Sequence, residues 1–359
     1  MPSKSTVLVT GASGFIGGHC LLALLNKGYA VRASVRSRSQ IDKTQALLNS
    51  HYPEGADITY AIADLNADAG WDEAVQGCEY VLHLASPLPV QQPKDPNELI
   101  IPARDGALRV LAAASRADVD VKRVVMTSSQ AAVCGSPLRE QNYIYDEQDW
   151  TDLNHPTLTP YNQSKTIAER AAWDFVEQNN SLELATVCPG LVCGPVLEPR
   201  VNTSLEFVKR FLDGSLPLIP PLGYEVVDVR DVAALHLLAM ENPDAAGGRF
   251  MASAGFMWLQ EMAETLRQDL GDRASKVPTL PAPAWLIRLL ALFDPTVGTI
   301  TPELNQCRRV SHAGTSKQLG WMPRSPAKAV IATAKSFFAY EILHDASIPV
   351  SNYQTKSQT

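Results

Sequence analysis

The chain has 359 residues, is 45% hydrophobic and carries a formal charge of −7. It is long and apolar enough for one large domain or two that share an interface, which excludes a disordered protein. With a pI near 5.5 and no long run of one charge, it offers no basic face, so nucleic acid and anionic membranes are not expected partners.

The amino end passes straight into Val7-Leu8-Val9, a short apolar run that reads as a buried strand. Thr10-Gly11-Ala12-Ser13-Gly14-Phe15-Ile16-Gly17 follows and opens a helix to about residue 27. This is the layout of a phosphate cradle. Gly11 turns the chain, Gly14 admits a pyrophosphate close to the backbone, Gly17 lets helix and strand pack, and the first helical amides point at the anion. The spacing is Gly-x-x-Gly-x-x-Gly and not the Gly-x-Gly-x-x-Gly of the usual dinucleotide fingerprint.

Strands are then expected at 29–35, 58–63, 80–84 and 123–127, with helical periodicity over 40–49 and 98–117. Alternating strands and helices predict an α/β fold, a Rossmann-type doubly wound parallel sheet with helices on both faces. Its ligand sits beyond the carboxyl ends of the strands. Arg36, Asp64, Ala85-Ser86-Pro87 and Ser128-Ser129 each follow such a strand. Another helix, 161–178, and a strand, 182–188, complete a dinucleotide-binding domain over 1–190. Frequent prolines mark 191–350 as a smaller, interleaved substrate lobe, except that 224–245 is expected to return to the main sheet. Residues 345–359 read as a frayed tail.

An acidic side chain at the end of the second strand would bind the ribose hydroxyls of NAD. Here the position is Arg36, with Lys43 further on. A guanidinium fork and a second cation suit a 2′-phosphate, so NADPH (NADP when oxidised) is expected in preference to NAD. Asp64, with Leu65 beside it, is placed for the adenine.

Tyr161 and Lys165 are four residues apart and share one helix face. A phenol with pKa near 10 needs a positive neighbour to work near neutrality, and Lys165 supplies one. A serine at the end of the 123–127 strand can polarise a carbonyl oxygen. Six cysteines without Cys-x-x-Cys spacing read as reduced, packed thiols, with no metal site. No signal segment or membrane span is read, so a cytoplasmic location is expected, and the Asn-x-Ser/Thr matches at Asn162, Asn179 and Asn202 carry no meaning.

Together, residues 10–17, Thr127-Ser128-Ser129 and Tyr161 to Lys165 resemble an extended short-chain dehydrogenase/reductase. Arg36 with Lys43, Leu82-His83-Leu84-Ala85-Ser86-Pro87 and Val227-Asp228-Val229-Arg230-Asp231-Val232-Ala233 narrow the resemblance to the dihydroflavonol reductase-like branch, over about 1–345. The resemblance implies that Ser129 polarises the carbonyl, Tyr161 donates the proton, and Lys165 tunes it while holding the nicotinamide ribose. It also implies that Thr127, Ala85, Ser86 and Pro87 border the cofactor and that Pro189, Gly190 and Val192 line the nicotinamide. Two departures block transfer of a plant substrate. Cys134 stands where dihydroflavonol reductases carry a flavonoid-gripping asparagine, and Thr159-Pro160-Tyr161-Asn162-Gln163-Ser164-Lys165 replaces the cinnamoyl-CoA reductase signature Asn-Trp-Tyr-Cys-Tyr-Gly-Lys.

The pocket wall, expected from 134–145, 193–211 and 218–224, contributes Tyr143, Tyr145, Phe207, Phe211, Leu218, Ile219 and Tyr224, which suit a hydrophobic or aromatic carbonyl. The expected function is therefore an NADPH-dependent aldehyde or ketone reductase, reversible as an alcohol dehydrogenase, working as a monomer or homodimer on a small carbonyl or alcohol. The alternatives are a nucleotide-sugar epimerase or dehydratase of the same fold and a non-catalytic dinucleotide sensor. Arg36 weighs against the first, and the presence of both Tyr161 and Lys165 against the second.

Overall fold

Strand β1 (Thr6–Thr10) alternates its side chains between two apolar layers: Val7 and Val9 join one cluster with Leu21 and Leu24, while Leu8 joins another with Val81 and Val124. A strand buried on both faces belongs at the centre of a parallel sheet. This computed structural model describes residues 5–343 apart from 53, 54, 88–92, 94, 117, 137–139, 141, 180, 294 and 299. The expected tail at 345–359 lies outside the described residues.

The remaining strands are β2 (Ala30–Val35), β3 (Ile58–Ile62), β4 (Tyr80–His83), β5 (Arg123–Thr127), β6 (Ile144–Tyr145), β7 (Glu183–Pro189), β8 (Leu191–Cys193), β9 (Gly223–Asp228), β10 (Arg249–Ala252), β11 (Gly255–Trp258) and β12 (Arg309–Val310). The helices are α1 (Phe15–Asn26), α2 (Arg38–His51), α3 (Trp71–Val75), α4 (Asn97–Ala114), α5 (Ala131–Cys134), α6 (Pro160–Gln178), α7 (Glu206–Asp213), α8 (Val229–Glu241), α9 (Leu259–Leu270), α10 (Ala284–Leu290), α11 (Pro295–Gly298), α12 (Ala313–Leu319) and α13 (Pro326–Ala339). The main sheet has seven strands in the order β10-β7-β5-β4-β1-β2-β3, all parallel. Strand order reverses between β1 and β4, so the crevice of this doubly wound Rossmann-type fold opens there.

The stretch 224–245, expected to return to the main sheet, does so only by its helix. Val229, Val232 and Leu235 of α8 pack into the β1 cluster, whereas β9 pairs with β8 and β11 in a separate three-stranded sheet. The cause lies at Gly190, between β7 and β8, where the chain leaves the main sheet and presents a new edge. A Cβ at Gly190 would collide with the Glu225 carbonyl, so only glycine lets β9 approach this closely. The seventh place in the main sheet goes instead to β10, whose register pairs Arg249 with Thr186 and Ala252 with Pro189. A further apolar cluster draws its fully buried members from residues 193–343, among them Phe211, Val226, Leu266 and Phe337. Among the described residues, no helix is long and apolar enough to cross a membrane.

Candidate active site

The glycine-rich turn is fitted to its neighbours at atomic distance. Gly11 has φ +66°, and a Cβ there would lie 2.8 Å from the Ala85 amide nitrogen; one at Gly17 would collide with the Gly11 carbonyl oxygen. Thr10 ties the same two segments, since its hydroxyl oxygen accepts the Ala85 amide at 3.1 Å and its own proton points to His83 Nδ1 at 2.9 Å. Helix α1 begins at Phe15 with no side-chain cap and no acidic residue in its first turn. Its amide end therefore keeps its attraction for an anion. Ser13 lies in this turn, and its carbonyl accepts from Arg200 at 2.6 Å. Arg200 thus brings a cation to the loop from a distant segment, without any local sequence motif to announce it.

Arg36 is exposed at the end of β2, and its backbone amide is held by Gln40 Oε1 at 2.8 Å. Lys43 is exposed on α2, which starts just beyond. Asp64 and Leu65 follow β3: Asp64 Oδ1 accepts the Asn66 amide at 2.9 Å, and Leu65 packs where a Cβ on Gly106 would stand. Ala85, Ser86 and Pro87 are half-buried beyond β4. A cradle that any Cβ would fill, an uncapped helix end and exposed cations in place of an acid at the β2 terminus fit a phosphorylated dinucleotide.

The two serines after β5 do different things. Ser128 is buried, and its hydroxyl donates to Glu169 Oε2 at 2.5 Å. Glu169 is also buried, and it accepts from Thr186 Oγ1 at 3.0 Å and Arg249 Nε at 2.7 Å. Arg249 lies over the Trp150 ring, 3.8 Å from its centroid. Ser129 is half-buried, and the one hydrogen bond of its hydroxyl among the described residues is accepted from the Ala131 amide at 3.1 Å. Its own proton therefore remains to donate. Nothing in the local pattern around Glu169, an acid in an amphipathic helix, foretells this hub.

Tyr161 stands in the first turn of α6 because Thr159 caps that helix, accepting the Asn162 amide at 3.2 Å, and Pro160 takes its first position. The Asn162 side chain then donates to the Gly135 carbonyl at 2.9 Å, fastening the tyrosine's turn to the segment that follows Ser129 and α5. Lys165 is buried with its Nζ 5.8 Å from the Tyr161 ring centroid. Burial, reinforced by the Lys165 charge, pulls the pKa of His83 down to about 3. His83 is therefore neutral and adds no competing positive charge beside the lysine.

Like Thr10, Thr127 has its side chain committed within the fold: its hydroxyl meets His236 Nε2 at 2.7 Å. Pro189 accepts the Gln130 amide at 3.0 Å, bringing the β7 terminus against the Ser129 turn, and Val192 is buried in the β1 cluster. Gln130 Nε2 is the one buried side-chain polar atom without a partner among the described residues. The pocket wall needs correction. Tyr145 is buried in a small cluster with Val310 and Met251, and Phe211 and Ile219 are buried in the 193–343 cluster, so these three are core. Tyr143 packs edge-on against Tyr145, with its hydroxyl on Asp149 at 2.9 Å. Phe207 and Tyr224 remain partly exposed, with ring centroids 5.7 Å apart, and Leu218 is likewise partly buried. Glu303 and Arg308, joined to each other, sit near Tyr224 and bring charge to this wall.

Residues 7–252 match the model of the NAD dependent epimerase/dehydratase family. The chain belongs to that family. Among its curated relatives, it is 39% identical to cinnamoyl-CoA reductase CAD2 of Medicago truncatula over 250 residues, 68% of this chain and 74% of the relative. It is 34% identical to dihydroflavonol 4-reductase of Callistephus chinensis over 274 residues, 74% of this chain and 73% of the relative. Among solved structures, it resembles the yeast methylglyoxal/isovaleraldehyde reductase Gre2 complexed with NADPH, with a TM-score of 0.77 and 26% identity over 94% of this chain and 99% of that one. Within the family the chain falls in the extended, dihydroflavonol reductase-like branch.

Proposed function

We propose that the protein uses NADPH to reduce apolar or aromatic aldehydes and ketones to alcohols, a reaction that reverses as alcohol oxidation. It is an oxidoreductase of the NADP-dependent kind, as its reductase relatives are. The observation that carries the assignment of the site is the division between Ser128, bound into Glu169, and Ser129, which keeps a proton to give.

The glycine turn and the α1 amides hold the diphosphate, Arg36 with Lys43 the 2′-phosphate, and Asp64 with Leu65 the adenine. Ala85, Ser86 and Pro87 border the ribose, and Pro189, Gly190 and Val192 face the nicotinamide. When bound, NADPH supplies a hydride to the carbonyl carbon. Ser129 donates a hydrogen bond to the carbonyl oxygen, stabilising the charge that develops there. Tyr161 gives its phenolic proton to that oxygen, and Lys165 stabilises the phenolate left behind. Phe207, Leu218 and Tyr224 offer apolar area to the substrate's body. Burial gains about 25 cal/mol for each Å² of apolar surface, so an aryl ketone gains more than acetaldehyde.

A panel of carbonyls of increasing apolar area, incubated with NADPH or NADH while the absorbance of the reduced cofactor is followed, tests this. Oxidation of NADPH in preference to NADH, with kcat/KM rising along the series, is expected. A flat profile, or turnover of a sugar nucleotide alone, would defeat it.

A further inference from the structure

Segment 195–202, between β8 and α7, is fixed against the start of α1. His19 and His51 donate from Nε2 to the Pro195 and Leu197 carbonyls, both at 2.9 Å, and the Val196 amide donates to Ser336 Oγ at 3.0 Å. Gly18 leaves room for Leu197, whose Cδ1 would lie 3.1 Å from a Cβ there. Pro199 presets its own φ, and the Arg200 amide closes a three-residue turn on the Glu198 carbonyl at 2.7 Å. The chain thereby delivers Arg200 to the glycine turn, where its Nη2 donates to the Ser13 carbonyl at 2.6 Å and lies 2.9 Å from Glu198 Oε1. Its Nε and Nη1 have no partner among the described residues, and the side chain is 56% exposed.

We propose, on the dinucleotide reading above, that Arg200 binds the cofactor's diphosphate and that Glu198 is its internal competitor. Ser13 and Glu198 engage only the Nη2 end of the guanidinium, so a phosphate oxygen can be taken up by the remaining N–H groups without releasing the Ser13 carbonyl. The full charge of Arg200 adds to the uncapped amide end of α1, which by itself offers the diphosphate only a partial one. Both members of the Arg200–Glu198 pair are open to solvent, so the pair is weak and a diphosphate displaces it readily. Until then the carboxylate neutralises Arg200, and afterwards it repels the phosphates. Arg36 and Lys43 stand apart, at the end of β2 and on α2, so the cations divide the cofactor between them: the 2′-phosphate there, the diphosphate here. An arginine on the diphosphate strengthens both dinucleotides and takes no part in choosing between them.

Isothermal titration of the full chain with NADP, NAD and adenosine 2′-phosphate, which lacks the diphosphate, tests the proposal in the parent, Arg200→Gln and Glu198→Gln. Glutamine can still donate to the Ser13 carbonyl, so Arg200→Gln removes the charge and keeps a donor. It is expected to raise the Kd of NADP and of NAD by about tenfold each, and to leave that of adenosine 2′-phosphate within about twofold. The loss should shrink as salt rises from about 0.05 M to about 0.5 M. Glu198→Gln is expected to lower both dinucleotide Kd values by about threefold. Unchanged dinucleotide affinity in Arg200→Gln overturns the proposal, as does an equal loss of adenosine 2′-phosphate, or weaker dinucleotide binding in Glu198→Gln. A parent that takes up neither dinucleotide defeats the cofactor reading itself.

Discussion

Ser128 and Glu169 are joined by a 2.5 Å hydrogen bond inside the protein, so the serine nearer the strand anchors the loop that presents its neighbour. Ser128→Ala should leave a buried carboxylate short of a donor and cost about 1–3 kcal/mol of stability, read as a lower thermal midpoint. Ser129→Ala should melt normally and lose about a hundredfold to a thousandfold in kcat. The reverse pattern would move the carbonyl contact to Ser128.

Tyr161→Phe keeps the ring that packs beside Lys165 and removes the hydroxyl that donates the proton. Turnover should fall by about a hundredfold to ten-thousandfold, while NADPH affinity, measured by fluorescence titration, changes little. A variant that loses cofactor affinity in proportion to kcat would make Tyr161 a binding residue only.

Arg36, exposed at the end of β2, is the residue proposed to discriminate between the two dinucleotides. Arg36→Asp should shift the ratio of kcat/KM for NADPH over NADH by about 2–4 kcal/mol toward NADH, through a lost clamp and an added repulsion. Arg200→Ala, which frees the Ser13 carbonyl, should weaken both cofactors alike. Equal loss of both in the Arg36 variant would place that residue outside the 2′-phosphate site.

Three buried histidines, His19, His83 and His236, make the fold acid-sensitive, and burial lowers the first to about 4. The His236 Nδ1–H donates to the Val232 carbonyl at 2.8 Å, which leaves Nε2 to accept from Thr127, and burial lowers its pKa from 6.5 to about 4. His83 is lowered to about 3. Because the folded pKa values lie below the unfolded value, the unfolded chain takes up protons first as pH falls. Stability is complete above about pH 6.5 and is lost toward pH 4, by on the order of 3 kcal/mol for each group. The thermal midpoint should drop across that window, and His236→Gln should flatten part of the slope. A midpoint independent of pH there would show that all three rings are charged in the fold.

What was legible in the sequence was local. Gly11 and Gly17 are dictated by backbone geometry within a few residues, and β1, β4 and β5 follow from runs that are buried on both faces. The pairing of β9 with β8 was not legible, because it depends on a close approach between Gly190 and Glu225 that no periodicity encodes. Phe211 and Ile219 were misread for a related reason: an apolar residue looks the same in sequence whether it lines a pocket or fills a core. Adjacent serines differ by which way the chain turns after β5, and that is set by Glu169 and Arg249, 41 residues and more away.

The late arrival of β10 governs how the chain must be made. The outer edge of β7 is closed only by Arg249–Ala252, after the chain has run out through β8 and β9 and back along α8. A nascent chain that has emerged only as far as α8 therefore carries an unpaired, apolar strand edge, a template for pairing with another chain. Synthesis and folding must outrun aggregation over that interval, so chaperone dependence should concentrate there, and truncations that end before residue 252 should be insoluble even though every residue of the glycine turn and of the Ser129, Tyr161 and Lys165 trio is already in place.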